Sequence, residues 1–153
     1  MNPLYEIAQR NGGDLAAVPA DLAAMPRGCL QDAWGITLTH VGRGRARATM
    51  TVLPGHLNQR GFPQGGALVA FADAAAGWAS YAALEEGRFT TNHLSCSYLG
   101  AASAGADLVA LAEPVHIGRS TLVLDVAVLR AEHEAATPRK LIARVTCTQL
   151  VLS

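Results

Sequence analysis

Residues 64–86 read QGGALVAFADAAAGWASYAALEE, and this stretch decides the fold. Alanine, the best helix former, recurs through it together with Leu, Phe and Trp. Few charges occur on any face, so the pattern predicts a long helix surrounded by protein rather than one lying on a surface. Gly87, after Glu85-Glu86, reads as its C-terminal stop. A membrane span needs about 20 strongly apolar residues. Ala67 to Leu84 is alanine-rich and interrupted by Asp73, so it reads as a buried helix instead.

Strand patterns flank this segment on both sides. Ile36, Leu38 and His40 alternate with Thr37, Thr39 and Val41; Gly42-Arg43-Gly44 signals a turn; Ala46, Ala48, Met50 and Val52 then alternate with Arg47, Thr49 and Thr51. That is a hairpin by pattern and by turn chemistry. After the helix, Thr90 to Tyr98, Asp107 to Ile117, Ser120 to Arg130 and Lys140 to Leu152 form four further runs separated by turn signals. Consecutive strands with short turns imply an antiparallel sheet, and a single apolar helix needs a sheet that curves around it. The expectation is an α+β domain, about six strands around one central helix, over residues 34–153. Residues 1–33 read as a helical or irregular lead-in, with a short helix from Asp21 to Met25 ended by Pro26-Arg27-Gly28.

The 153-residue chain suits one domain, and with half its residues hydrophobic and 16% charged it is not disordered. A formal net charge of zero argues against nucleic acid or an anionic membrane as the main partner. Cys29, Cys96 and Cys147 are odd in number and widely spaced, with no CxxC pair, so a reducing compartment fits best. The start, MNPLYEIAQRNGG, lacks the basic and apolar stretches of a signal peptide, and a cytoplasmic location is expected.

Asp73 carries the most information about chemistry. It interrupts Val69, Ala70, Phe71, Ala72, Ala74, Ala75 and Ala76, and burying an unpaired carboxylate costs roughly several kcal/mol. Two readings stay open on these residues alone. Asp73 is a catalytic group, or it faces a solvent channel or pairs with a structural Arg such as Arg144. Gly65-Gly66 at the helix start allow a ligand close to the backbone, where free N–H groups and the helix dipole form an oxyanion or anion site. The same glycines also suit plain loop-to-helix geometry. Asn58, in the loop ahead, orients a carbonyl or a water, or simply forms a turn. His56 and His93 lack metal-ligand spacing. Cys96 and Cys147 read as small core residues, and Trp78 and Tyr81 as core or dimer contacts.

Together Asn58, Gly65, Gly66 and Asp73 read N-x6-G-G-x6-D. The segment HLNQRGFPQGGALVAFADAAAG, residues 56–77, resembles the active-site signature of the hotdog-fold thioesterases of the PaaI-like type. It is also similar to that of the Arthrobacter-class 4-hydroxybenzoyl-CoA thioesterases. The order of elements agrees from about residue 34 onward. The resemblance implies a cytoplasmic acyl-CoA thioesterase, with coenzyme A as part of the substrate and neither metal nor cofactor. Asp73 falls where the family has its catalytic Asp or Glu, Gly65 where a backbone N–H polarises the thioester carbonyl, and Asn58 where an Asn or Gln assists. Thr91 falls where some members hold the attacking water, and Thr90 is adjacent. Gln64 and Gly66 flank the oxyanion position, Gln64 standing where many members have His. Gly77 stands where Arthrobacter-type enzymes carry a hydroxyl. For the phosphates of coenzyme A, Arg119 in the turn Gly118-Arg119-Ser120 is the best candidate, ahead of Arg88, Arg139 and Arg60.

Spacing adds an expectation of its own. Gly65 and Asp73 are eight residues apart, about 12 Å along one helix, whereas a base must lie within about 3 Å of its proton or one water away. One helix cannot supply both groups to one thioester. Two antiparallel helices in a C2 dimer can, giving two shared sites, as the resemblance also implies; a tetramer is also compatible. The competing readings are a hotdog acyl dehydratase, which usually needs a catalytic His, and a non-catalytic module that binds CoA esters or oligomerises.

Overall fold

The computed structural model describes residues 2–153. Its central element is the alanine-rich helix, α4 (Gly65–Ala83), in which 12 of 19 residues are buried, so protein covers it on more than one side. Ala72, Ala75, Ala76 and Ala79 are fully buried beside Phe71. Short side chains let the sheet approach the helix closely, while burial of the Phe71 ring contributes about 1.5–3 kcal/mol. The helix ends at Ala83, three residues before Glu86. Gly87 lies in the following turn at φ +64°, and a side chain there would strike the Tyr81 ring.

Around α4 wraps one antiparallel sheet built from β1 (Ala16–Ala17), β2 (Thr37–Gly42), β3 (Arg45–Thr51), β4 (Phe89–Tyr98), β5 (Asp107–Ile117), β6 (Thr121–Arg130) and β7 (Leu141–Val151). Their spatial order is β1-β2-β3-β5-β6-β7-β4. The β2–β3 hairpin and the four later strands match the sequence patterns. Ala46, Ala48 and Met50 of β3 face the core, as do Leu122, Leu124, Val126 and Val128 of β6. This is the hotdog fold, with a seventh strand that the sequence did not signal. β1 is only two residues long and pairs with β2 through Ala16 and Ala17, too short for any periodicity to mark it.

The lead-in packs onto the domain. Helix α1 (Pro3–Arg10) buries Ala8 completely. Asn2 joins two helices. Its Oδ1 accepts from the amides of Leu4 (3.0 Å) and Tyr5, and its Nδ2 donates to the carbonyls of Tyr81 (2.6 Å) and Leu84. One side chain thereby caps the start of α1 and ties it to the turn that ends α4. Two short helices follow, α2 (Ala20–Ala23), shorter than the Asp21–Met25 expected, and α3 (Leu30–Trp34). Among the described residues no helix is long and apolar enough to cross a membrane.

Candidate active site

Asp73 is half-buried on α4, and β4 runs back beside it. An edge-on contact between the Tyr81 and Phe89 rings, centroids 5.2 Å apart, pins the start of that strand to the helix. Two residues on, the Thr91 hydroxyl donates to Asp73 Oδ1 at 2.9 Å. Arg144 is not the partner of Asp73. Burial alternates along β7, and Arg144 lies on the outer face, where it and Thr146 donate to Asp125. With that pairing excluded, the carboxylate faces a cleft of about 310 Å³. Its helical wall is Ala70, Ala74, Gly77 and Trp78; Phe89 and Thr91 close one side, and Leu30 and Gln31 of α3 the other. Trp78 is 9% exposed and is both a core residue and a cleft wall.

Beneath the carboxylate lies the inner face of β7. Burial, and then the nearby Asp73 charge, push the Cys147 thiol up to about 12, so it stays protonated. Cys147 is the small core residue the strand pattern indicated, and Cys96 is half-buried. Gln149, two residues on, is fully buried and stands in register with Thr91. No pattern in the sequence distinguished it.

The start of α4 forms the second part of the site. The first turn closes through Ala67 N–H and Leu68 N–H to the Gln64 carbonyl, so the amides of Gly65 and Gly66 precede every intrahelical bond. Gln64 is the N-cap, exposed, and its side chain makes no capping bond. A Cβ on Gly65 would lie 2.7 Å from Tyr98 Oη, so the glycine gives room to that phenol at the helix tip. Tyr98, at the far end of β4, was not singled out by the sequence because a strand tyrosine carries no signal of what it will meet. Asn58 is occupied locally. Its Oδ1 accepts from the amides of Arg60 (2.8 Å) and Phe62 (3.3 Å), which shapes the loop ahead of the helix.

His56 holds the same loop. It is buried, its Nδ1 accepts from Leu53 N–H at 3.0 Å, and its carbonyl accepts from Gln64 N–H at 2.8 Å. Its ring meets that of Trp34, centroids 5.2 Å apart. Burial lowers the His56 pKa from its ordinary 6.5. Below that value the unfolded chain binds a proton that the folded one resists, so this contribution to stability is present above pH 6.5 and is lost as pH falls. Between pH 7.5 and 5.5 the wild type should lose more in Tm than His56→Asn. Parallel melting curves of the two proteins at both pH values measure this, and equal losses would remove His56 as the sensor.

The turn Gly118-Arg119-Ser120 joins β5 to β6. Thr121 at its end pairs with Leu150, which pairs with Thr90, so the turn sits two strand spacings, about 10 Å, from Thr90. Arg119 is exposed and forms no ion pair among the described residues; Arg88 is paired with Glu86 at 2.7 Å. Arg60 and Arg139 are exposed. A wider groove of about 520 Å³ lies between the lead-in and β2. Its carboxylate, Asp32, is already engaged by the Gly28 amide at 2.9 Å.

The comparisons with known proteins agree with this fold. The family model described as the thioesterase superfamily matches residues 62–137, which contain α4 and β4 to β6. Among solved structures, a single-residue mutant of the phenylacetic acid degradation protein PaaI from Thermus thermophilus is 30% identical over 80% of this chain and 97% of its own, with a TM-score of 0.70. The Escherichia coli PaaI protein from the phenylacetic acid degradation operon superposes with a TM-score of 0.74 over 98% of this chain and 96% of its own, at 24% identity. A hypothetical thioesterase from Streptococcus pneumoniae, solved with coenzyme A, is 28% identical over 72% of this chain and 80% of its own, TM-score 0.64. No curated protein matches the sequence. The chain belongs to the hotdog-fold thioesterase superfamily, in its PaaI-like group.

Proposed function

We propose that this protein hydrolyses an acyl- or aryl-CoA thioester at sites shared between two copies of the chain. The observation that carries the reading is a carboxylate inside an otherwise apolar helix, hydrogen-bonded among the described residues only to Thr91 and open to a cleft. Such a group lies within reach of a water in the cleft, where a general base belongs. The family membership and the coenzyme A bound to the Streptococcus pneumoniae relative support the substrate class.

The spacing argument applies to the helix as folded. Gly65 and Asp73 both lie on α4, so about 12 Å of rise separates them. β4 offers the means of joining two copies. It is a sheet edge ten residues long with no proline, and its outer backbone groups have no strand beside them in the protomer. An antiparallel β4–β4 pairing about a twofold axis would continue the sheet and lay the two α4 helices side by side in opposite directions.

In the proposed reaction the thioester carbonyl accepts from the Gly65 N–H of one copy. Asp73 of the other takes a proton from a water held at Thr91, and the water oxygen bonds to the carbonyl carbon. The C–S bond then breaks, and the departing thiolate of coenzyme A takes the proton held by Asp73, which returns to its ionised form. Tyr98 Oη, beside Gly65, and the uncapped Gly65 and Gly66 amides keep this end of the helix polar. Arg119 is the cation proposed for the phosphates of coenzyme A. The test is release of free thiol from a panel of acyl- and aryl-CoA esters by the purified protein; no release from any ester overturns the reading.

The cleft favours a bulky apolar acyl group. Ala70, Ala74 and Gly77 leave a slot along the helix, with Trp78 and Phe89 as aromatic walls. A Cβ on Gly77 would meet Phe89 Cζ at 3.9 Å, an ordinary contact, so the first carbon of a side chain fits there without disturbing the fold. Gly77→Val should therefore fill the slot. Since a methylene in an apolar pocket is worth about 1–3 kcal/mol, kcat/KM for an aryl or branched ester should fall by about 10–200-fold, and that for acetyl-CoA far less. Equal losses on both esters would place the acyl group elsewhere.

A further inference from the structure

Gln149 is fully buried on the inner face of β7, and neither its Nε2 nor its Oε1 has a protein hydrogen-bond partner among the described residues. Leaving a buried polar group unpaired costs about 1–3 kcal/mol, and an amide carries two such groups. A leucine or methionine would fill the same volume without that cost. The register shows what the amide lies against. Gln149 is directly opposite Thr91 on β4 and opposite the buried Leu122 on β6. Paired residues in an antiparallel sheet have Cα atoms about 4.5–5.5 Å apart and side chains on the same face. Thr91 uses that face to reach Asp73, and Cys147, the next inward residue of β7, is close enough to Asp73 to feel its charge. The Gln149 amide therefore sits in the layer between β7 and α4, beside the Thr91–Asp73 hydrogen bond.

We infer that Gln149 is a positioning residue: its amide holds one internal water that bridges to the Thr91 oxygen, fixing the Thr91 hydroxyl and, through its hydrogen bond, the orientation of the Asp73 carboxylate. The hydrogen-bond inventory fits. A buried water needs about two to four polar partners. Nε2 donates to it, Oε1 accepts from it, and the Thr91 oxygen, whose own proton goes to Asp73, accepts its second proton. The inference rests on the reading of Asp73 as the catalytic carboxylate.

The experiment compares wild type, Gln149→Met and Asp73→Asn in thiol release, with melting curves for each. Methionine keeps the volume and removes both polar atoms, so Gln149→Met should melt at or above the wild-type temperature. A carboxylate left to drift by a fraction of an ångström to one ångström loses up to about 10²-fold in rate. The expected result is thus a tenfold to hundredfold drop in kcat with KM within about twofold of wild type. An unchanged kcat, or a change confined to KM, overturns the inference while leaving an inactive Asp73→Asn to sustain the thioesterase reading. An active Asp73→Asn overturns that reading itself. A high-resolution crystal structure of the wild type serves even if Gln149→Met does not fold. An ordered water bridging the amide to Thr91 supports the inference, and an amide bonded to anything else overturns it.

Discussion

Replacing Asp73 by Asn lowers kcat for thioester hydrolysis by about 10²–10⁴-fold, the contribution a positioned general base typically makes. The substitution is nearly isosteric. Asn retains a carbonyl oxygen at the position of Oδ1, so the Thr91 hydroxyl keeps its acceptor and the cleft keeps its shape. What disappears is the capacity to take a proton from water. KM should change little, because binding is supplied by the cleft walls and the helix tip. Thiol release under saturating ester, with a melting curve to show that the variant is folded, measures the effect. A variant within a few-fold of wild type would leave Asp73 as a structural residue. The covalent alternative, in which Asp73 attacks the carbonyl and passes through a mixed anhydride, is tested by a single turnover in ¹⁸O water. Label in the Asp73 side chain reports an anhydride opened at the Asp73 carbonyl, whereas label in the product acid alone fits both the base and an anhydride opened at the acyl carbon.

Mixing two inactive proteins restores activity. Gly65→Val places a branched side chain against Tyr98 Oη and the approach to the Gly65 amide, and losing one oxyanion donor costs about 10²–10³-fold. Gly65 has no positive φ, so valine is compatible with the helical backbone there. In a mixed dimer of Gly65→Val and Asp73→Asn, one site carries both lesions and the other carries neither. Random exchange makes half of the dimers mixed, each with one intact site in two. The mixture should recover about a quarter of wild-type activity, by the symmetry of a C2 interface. Denaturing and refolding the two proteins together, then measuring thiol release, tests this. No recovery, with dimer formation verified, would mean that one protomer supplies both groups.

The elements of the fold were legible in the sequence because each announced itself locally. The alanine run has a composition that only a buried helix explains, and the strands alternate with a period that only a two-sided sheet explains. The same reasoning placed Asp73 where burial of a carboxylate demands a reason. It did not find β1, whose two residues follow from pairing with β2 rather than from any preference of their own. It also offered Arg144 to Asp73, although strand parity sends that guanidinium to the opposite face and to Asp125. The Asn58 Oδ1 is engaged by two amides of its own turn. Tyr98, Phe89, Leu30 and Gln149 drew no attention as strand or lead-in residues, yet they surround the site.

By itself, the sequence determined that a helix is buried within an antiparallel sheet and that a carboxylate and a glycine pair lie eight residues apart upon it. Those are consequences of periodicity, propensity and helical rise, which act over a few residues and need no knowledge of the rest of the chain. Packing across the whole chain sets which strand lies at the edge, which side chains share a face with Asp73, and that α3 walls the cleft. Strand order and cross-strand register join residues far apart in the chain through side-chain packing. No local pattern encodes which of several apolar strands will pack beside which.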